Sequence, residues 1–165
     1  MQELIKKIEQ WAEDRNIING SKPIDQAMKL FSEFGELADN VGKGRDCRDD
    51  IGDVFVVLTI MCKQLNMSMI NVNPNKSKFK KTPKHMVSLL LIDFHEIITC
   101  PSMCDFDDAV GTLENIAECF NYTLQECIQI AYDDIKNRKG VMFNGTFIKD
   151  TDPAYNEVLQ KLGKA

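Results

Sequence analysis

Apolar residues recur at helical spacing along almost the whole chain, and no stretch sustains period-2 alternation between turn signals, so the pattern predicts an all-α domain. A first helix carries Leu4, Ile5, Ile8, Trp11 and Ala12 on one stripe and stops near Asn19-Gly20. After a turn at Ser21-Lys22-Pro23, a second helix runs from about Ile24 to Val41. Its apolar face is read as Ile24, Ala27, Met28, Phe31, Phe34, Ala38 and Val41, with Gln26, Lys29, Glu33, Glu36 and Asn40 opposite. Gly42-Lys43-Gly44-Arg45 breaks it, and so short a break implies an antiparallel neighbour.

Asp46 and Asp49 resemble a capping arrangement for a third helix that continues to about Asn66. Beyond Asp53 this helix is apolar on nearly every side, which places it in the middle of the domain. The polar, basic stretch from Asn71 to Lys81 reads as a loop, its charges as a solvated surface. Thr82-Pro83 opens a fourth helix through Ile98, and Asp105 caps a fifth whose stripe ends at Phe120. A capping box of Thr123 and Glu126 starts a sixth, which finishes in Lys136, Arg138, Lys139 and Gly140 as the helix dipole favours. The tail has turn chemistry at Asn144-Gly145 and Asp152-Pro153 and a last short helix from Ala154. The expectation is one bundle of about five to six helices over residues 1–165.

Composition narrows the function classes. With 165 residues, 44% hydrophobic and 27% charged, the chain reads as one well-buried globular domain, neither disordered nor fibrous. A net charge of −5 argues against bulk nucleic acid as a partner, although a small anion can bind through a metal. The apolar run from Val54 to Cys62 is far short of the roughly 20 residues that span a membrane. The charged N-terminus does not read as a secretory signal, so a cytoplasmic protein is expected. The six cysteines are accordingly expected to be reduced thiols.

Two acidic pairs carry the candidate chemistry: Glu33-Phe34-Gly35-Glu36 in the second helix and Asp50-Ile51-Gly52-Asp53 in the third. Spacing of i,i+3 puts both carboxylates of a pair on one helix face. Asp50 and Asp53 share a row with Val57, Ile60 and Met61, so they begin a buried row. Like-charged carboxylates buried together cost several kcal/mol, or are pushed up in pKa, unless a cation compensates. No lysine or arginine lies from Ile51 to Cys62, so the cation is a distant side chain or a metal, with Mg²⁺ or Mn²⁺ matching the hard oxygen donors. The blander alternatives are a solvated face for Glu33 and Glu36 and dipole service for Asp49 and Asp50.

The two pairs, separated by a Gly/Lys/Arg turn, resemble the E-x-x-E … E-x-x-D signature of the all-α nucleoside triphosphate pyrophosphohydrolases, the MazG-like family. The later segments A-Y-D-D-I-K-N-R-K-G and N-G-T-F-I-K are similar to the end of small phage-type members, so the resemblance spans Glu33 to Lys149. It implies hydrolysis of a nucleotide between the α- and β-phosphates. It also implies Mg²⁺, with Mn²⁺ as the alternative, on Glu33, Glu36, Asp50 and Asp53, and Glu33 as the group that accepts a proton from water. Lys43, Arg45, Lys136, Arg138 and Lys139 are the cations available to phosphates, or else ordinary surface and dipole charges. Where family members usually carry Glu, this chain has the shorter Asp50, which points to longer or water-mediated ligation. The asparagine that many relatives carry in the last helix is matched by Asp133, the lysine by Lys136. Assembly into a homo-oligomer, a dimer or tetramer, is also implied.

Other classes stay in view. A di-iron bundle needs Glu-x-x-His pairs, which neither histidine supplies. A zinc site from His95, Cys100, Cys104 and Cys119 has no paired-cysteine spacing. A non-catalytic helical interaction module, and hydrolysis of another nucleotide pyrophosphate such as phosphoribosyl-ATP, are the alternatives to a triphosphate substrate. Trp11, Phe31, Phe55 and Tyr132 are the candidate pocket walls, and ordinary core residues otherwise.

Overall fold

A computed structural model describes residues 1–75 and 82–164. The chain runs through α1 (Gln2–Asp14), α2 (Ile17–Gly20), α3 (Pro23–Lys43), α4 (Arg48–Gln64), α5 (Pro83–Thr99), α6 (Met103–Cys119) and α7 (Leu124–Ile135), then β1 (Gly140–Phe143), β2 (Thr146–Lys149) and α8 (Tyr155–Lys161). Six of these helices correspond to the six expected in sequence order, α2 is the detached end of the first, and α8 is the last short helix expected from Ala154. The fold is mainly helical, as the periodicity implied. The expected loop from Asn71 to Lys81 begins after a 3₁₀ turn at Met69–Asn71, and its residues 76–81 lie outside the described ones.

α4 is the axis. Ile51, Val54 and Leu58 have no solvent exposure, and α4 packs against α1, α3, α6 and α7. Its closest partner is α7: a Cβ added at Gly52 would stand 2.2 Å from the Cys127 carbonyl oxygen and 2.7 Å from Ala131 Cβ. Only glycine admits that approach of two backbones. α5 and α6 pack as a second pair, with α5 also resting on α3. Phe34 of α3 meets Phe94 of α5 edge to face at 5.5 Å.

The structure corrects the reading in four places. Asn16 takes a left-handed conformation (φ 59°) and splits the expected first helix into α1 and α2. The residues Val141–Phe143 and Thr146–Ile148, read as an irregular tail, belong to a two-stranded antiparallel hairpin, in register Gly140 with Lys149 and Phe143 with Thr146. Its tip is Asn144-Gly145, both at positive φ as a two-residue hairpin turn requires. At the start of α4 the N-cap is Cys47 without a side-chain cap bond, while Asp46 accepts from the Arg48 N–H at 3.1 Å. The fourth correction bears on function: the buried face of α3 is Gln26, Ala27, Leu30, Glu33, Leu37 and Val41, whereas Ile24, Met28 and Phe31 are exposed. The helix is rotated so that Glu33 faces inward.

Candidate active site

Glu33 lies in the middle of α3 with only 5% of its surface exposed. Lys29, one turn earlier, forms an ion pair with it. Across the α3–α4 contact, Asp53 is half-buried, and its carboxyl is pushed up to about 7. Burial is the main cause, followed by the negative charges of Glu33 and Asp49, against a smaller pull from Arg138 and Lys29. Asp50, one turn before Asp53, is 8% exposed and accepts from Asn40 Nδ2 at 2.9 Å. Its pKa is also raised, first by burial and then by Asp49, Glu36 and Glu33, while the Asn40 hydrogen bond opposes the shift. Asp49, exposed in the first turn of α4, is raised by partial burial and by Asp134 and Glu33. Glu36 is exposed and acts on Asp50 through space.

Glu33 and Asp53 border a pocket of about 410 Å³. Lys29, Arg138 and Lys149 are the cations on its rim, and Trp11, Val56, Ile60, Met142 and Phe147 make most of its apolar wall. Carboxylates, cations and apolar side chains thus line one pocket within one chain.

The donor set suits a hard divalent cation in kind: carboxylate oxygens raised at Asp50 and Asp53 first by burial and then by neighbouring carboxylates, a cost that a cation would relieve. It is not gathered beforehand. Among the described residues no three His, Cys, Asp or Glu side chains already form a metal cage. Glu33 is engaged by Lys29 and Asp50 by Asn40, so an incoming ion has to replace protein partners.

The other expected site residues separate. Arg138 reaches the pocket and pairs with Asp134, and its carbonyl accepts from Arg15 Nε at 2.6 Å, which fastens the end of α7 to α1. Lys43 and Arg45 both turn to Asp39, at 2.6 and 3.6 Å, and do not border the pocket. Lys136 is taken by Asp133 at 2.6 Å, and Lys139 is exposed away from the pocket lining. Of the proposed walls, Trp11 lines the pocket, Phe55 is in the core and Phe31 is exposed. The sequence reading had placed Lys29 and Gln26 on the polar face of their helix, opposite the core, and gave no role to Lys149. The i,i+4 spacing of Lys29 and Glu33 was the available signal.

No protein-family model and no solved structure matches the chain. It is 49% identical over 72 residues to an uncharacterized 18.2 kDa protein in the rep-hol intergenic region of Haemophilus phage HP1 (strain HP1c1), a match covering 42% of this chain. The matched segment spans 44% of that curated relative's length.

Proposed function

We propose that this protein is a metal-dependent nucleotide pyrophosphohydrolase, cleaving a nucleoside triphosphate between the α- and β-phosphates to the monophosphate and pyrophosphate. The observation that carries the reading is the juxtaposition of Glu33 and Asp53, two carboxylates on packed helices, in the lining of a pocket that also contains Lys29, Arg138 and Lys149. The motif resemblance suggests the reaction, and the carboxylates and cations of one pocket support it.

Glu33, Glu36, Asp50 and Asp53 would hold Mg²⁺ or Mn²⁺, which when bound offsets phosphate charge and makes water more acidic. Glu33 would accept the proton of the attacking water at a carboxylate oxygen not taken by the cation. Arg138 and Lys149 receive phosphate oxygens, and the apolar wall keeps bulk water from the reacting end. Cytoplasmic residence fits the six free thiols. Self-association fits the exposed apolar stripe of Ile24, Met28 and Phe31 on α3.

Product analysis tests the reading. Incubated with triphosphates and Mg²⁺, the protein is expected to yield monophosphate and pyrophosphate in equal amounts and to stop in EDTA. Diphosphate with orthophosphate would place cleavage at the wrong bond. Turnover of phosphoribosyl-ATP alone would move the substrate to that related class. No product from either would leave the interaction-module reading.

A further inference from the structure

Gln26 is 5% exposed, borders the same pocket, and has no role in the chemistry above. Its amide orientation is determined by its neighbour. The Ser21 hydroxyl donates its single proton to the Ile17 carbonyl oxygen at 2.8 Å, so toward other groups Ser21 Oγ is an acceptor only. It receives Gln26 Nε2 at 2.9 Å and Gln64 Nε2 at 3.0 Å. Gln26 Oε1 is therefore turned away from Ser21. Because Gln26 lines the pocket, that oxygen is available to a donor brought by a ligand.

The surroundings define that ligand. Trp11 and Phe147 line the pocket beside Ile60 and Met142, and Trp11 Nε1 is a buried polar atom without a hydrogen-bond partner. An apolar recess with one fixed acceptor and one spare donor suits a flat heterocycle that carries both N–H and lone-pair positions. We propose that Gln26 is the base-reading residue of this site, with its Oε1 accepting from an amino or imino N–H of a nucleobase lodged against Trp11. This rests on the nucleotide reading of the pocket. Ser21 acts through Gln26 by fixing which end of the amide faces the base.

Trp11 is the single tryptophan of the chain, so its fluorescence reports this pocket directly. The full-length protein is titrated with AMP, CMP, GMP, UMP and ribose 5-phosphate. A saturable response to at least one nucleotide and none to the base-free sugar phosphate is expected. In Gln26→Met, of similar size but without the acceptor, the preferred nucleotide should bind about tenfold more weakly, the effect of one buried hydrogen bond. In Ser21→Ala the amide is free to turn over, and the preference among the four bases should narrow. Circular dichroism and melting establish that both variants are folded. No response to any nucleotide, an equal response to ribose 5-phosphate, or unchanged affinities in folded Gln26→Met would each overturn the proposal. Binding through Gln26 without pyrophosphate release would overturn the hydrolase reading and leave this one standing; pyrophosphate release with unchanged base preference in Gln26→Met would do the reverse.

Discussion

Lys29 pairs with Glu33 within α3 while its charge also pulls down the carboxyl of Asp53 on α4, so one half-exposed ammonium offsets two inward-facing carboxylates. A bound divalent cation would take over that task. Lys29 would then be free to meet a phosphate.

Removing the ammonium exposes what it does. Lys29→Met leaves Glu33 buried without its ion pair, and the metal-free protein should lose about 1–2 kcal/mol, less than for a fully buried pair because Lys29 is half exposed. Added Mg²⁺ should raise the melting temperature more in Lys29→Met than in the wild type, since more uncompensated charge awaits it. Melting with and without Mg²⁺ checks both parts; equal melting of the two metal-free proteins would show that the pair does not matter.

The raised carboxyl of Asp53 sets a pH dependence. Between the ordinary value of 3.8 and about 7 the folded chain holds a proton there that the unfolded chain has released. The stabilising contribution is therefore full below the unfolded value and is lost as pH rises through about 7. Asp93, raised to about 6 mainly by burial, adds a slope of the same sign, so the comparison must be between proteins. Asp53→Asn should stabilise the metal-free protein at about pH 8 by roughly 1–2 kcal/mol, discounted for partial exposure, and flatten the fall between about pH 4 and 7. Denaturant unfolding across that range measures it, and identical slopes would assign the effect to other groups.

The two motif glycines should behave oppositely. Gly52→Ala drives a methyl into the Cys127 carbonyl and should cost at least about 1–3 kcal/mol by overpacking the α4–α7 contact. Gly35→Ala meets nothing within 4 Å and should stabilise α3 by up to about 1 kcal/mol. Thermal melts of the pair decide; a tolerated Gly52→Ala would mean that α7 stands farther from α4 than described.

Where packing follows periodicity, the fold was legible. α4 is apolar all round and is central, and Thr123 with Glu126 form the capping box that opens α7. The hairpin escaped because its strands are four residues each, too short for alternation to show, although Asn144-Gly145 marked its turn. The face of α3 was misread because Ile24, Met28 and Phe31 weigh heavily in an apolar stripe, yet the core takes the row containing Leu30 and Leu37. Glu33 and Gln26 share that row, so their inward orientation was hidden by the same error. Asp50 and Asp53 were correctly placed at the head of a buried row. Arg138 and Lys136, equivalent in sequence, differ because only Arg138 borders the pocket once α7 ends against α1. That distinction is tertiary and leaves no trace in spacing.

The central claim is that the Glu33–Asp53 carboxylates form a metal-dependent pyrophosphohydrolase site, and pyrophosphate release measures it most directly. Wild type and Asp53→Asn are assayed on a panel of ribo- and deoxyribonucleoside triphosphates with Mg²⁺, with folding of both established by circular dichroism. The account predicts stoichiometric pyrophosphate from at least one nucleotide, abolished by EDTA and reduced at least about a hundredfold in Asp53→Asn, the scale of losing one ligand charge at a metal site. Pyrophosphate release that persists undiminished in folded Asp53→Asn, or in EDTA, would contradict it.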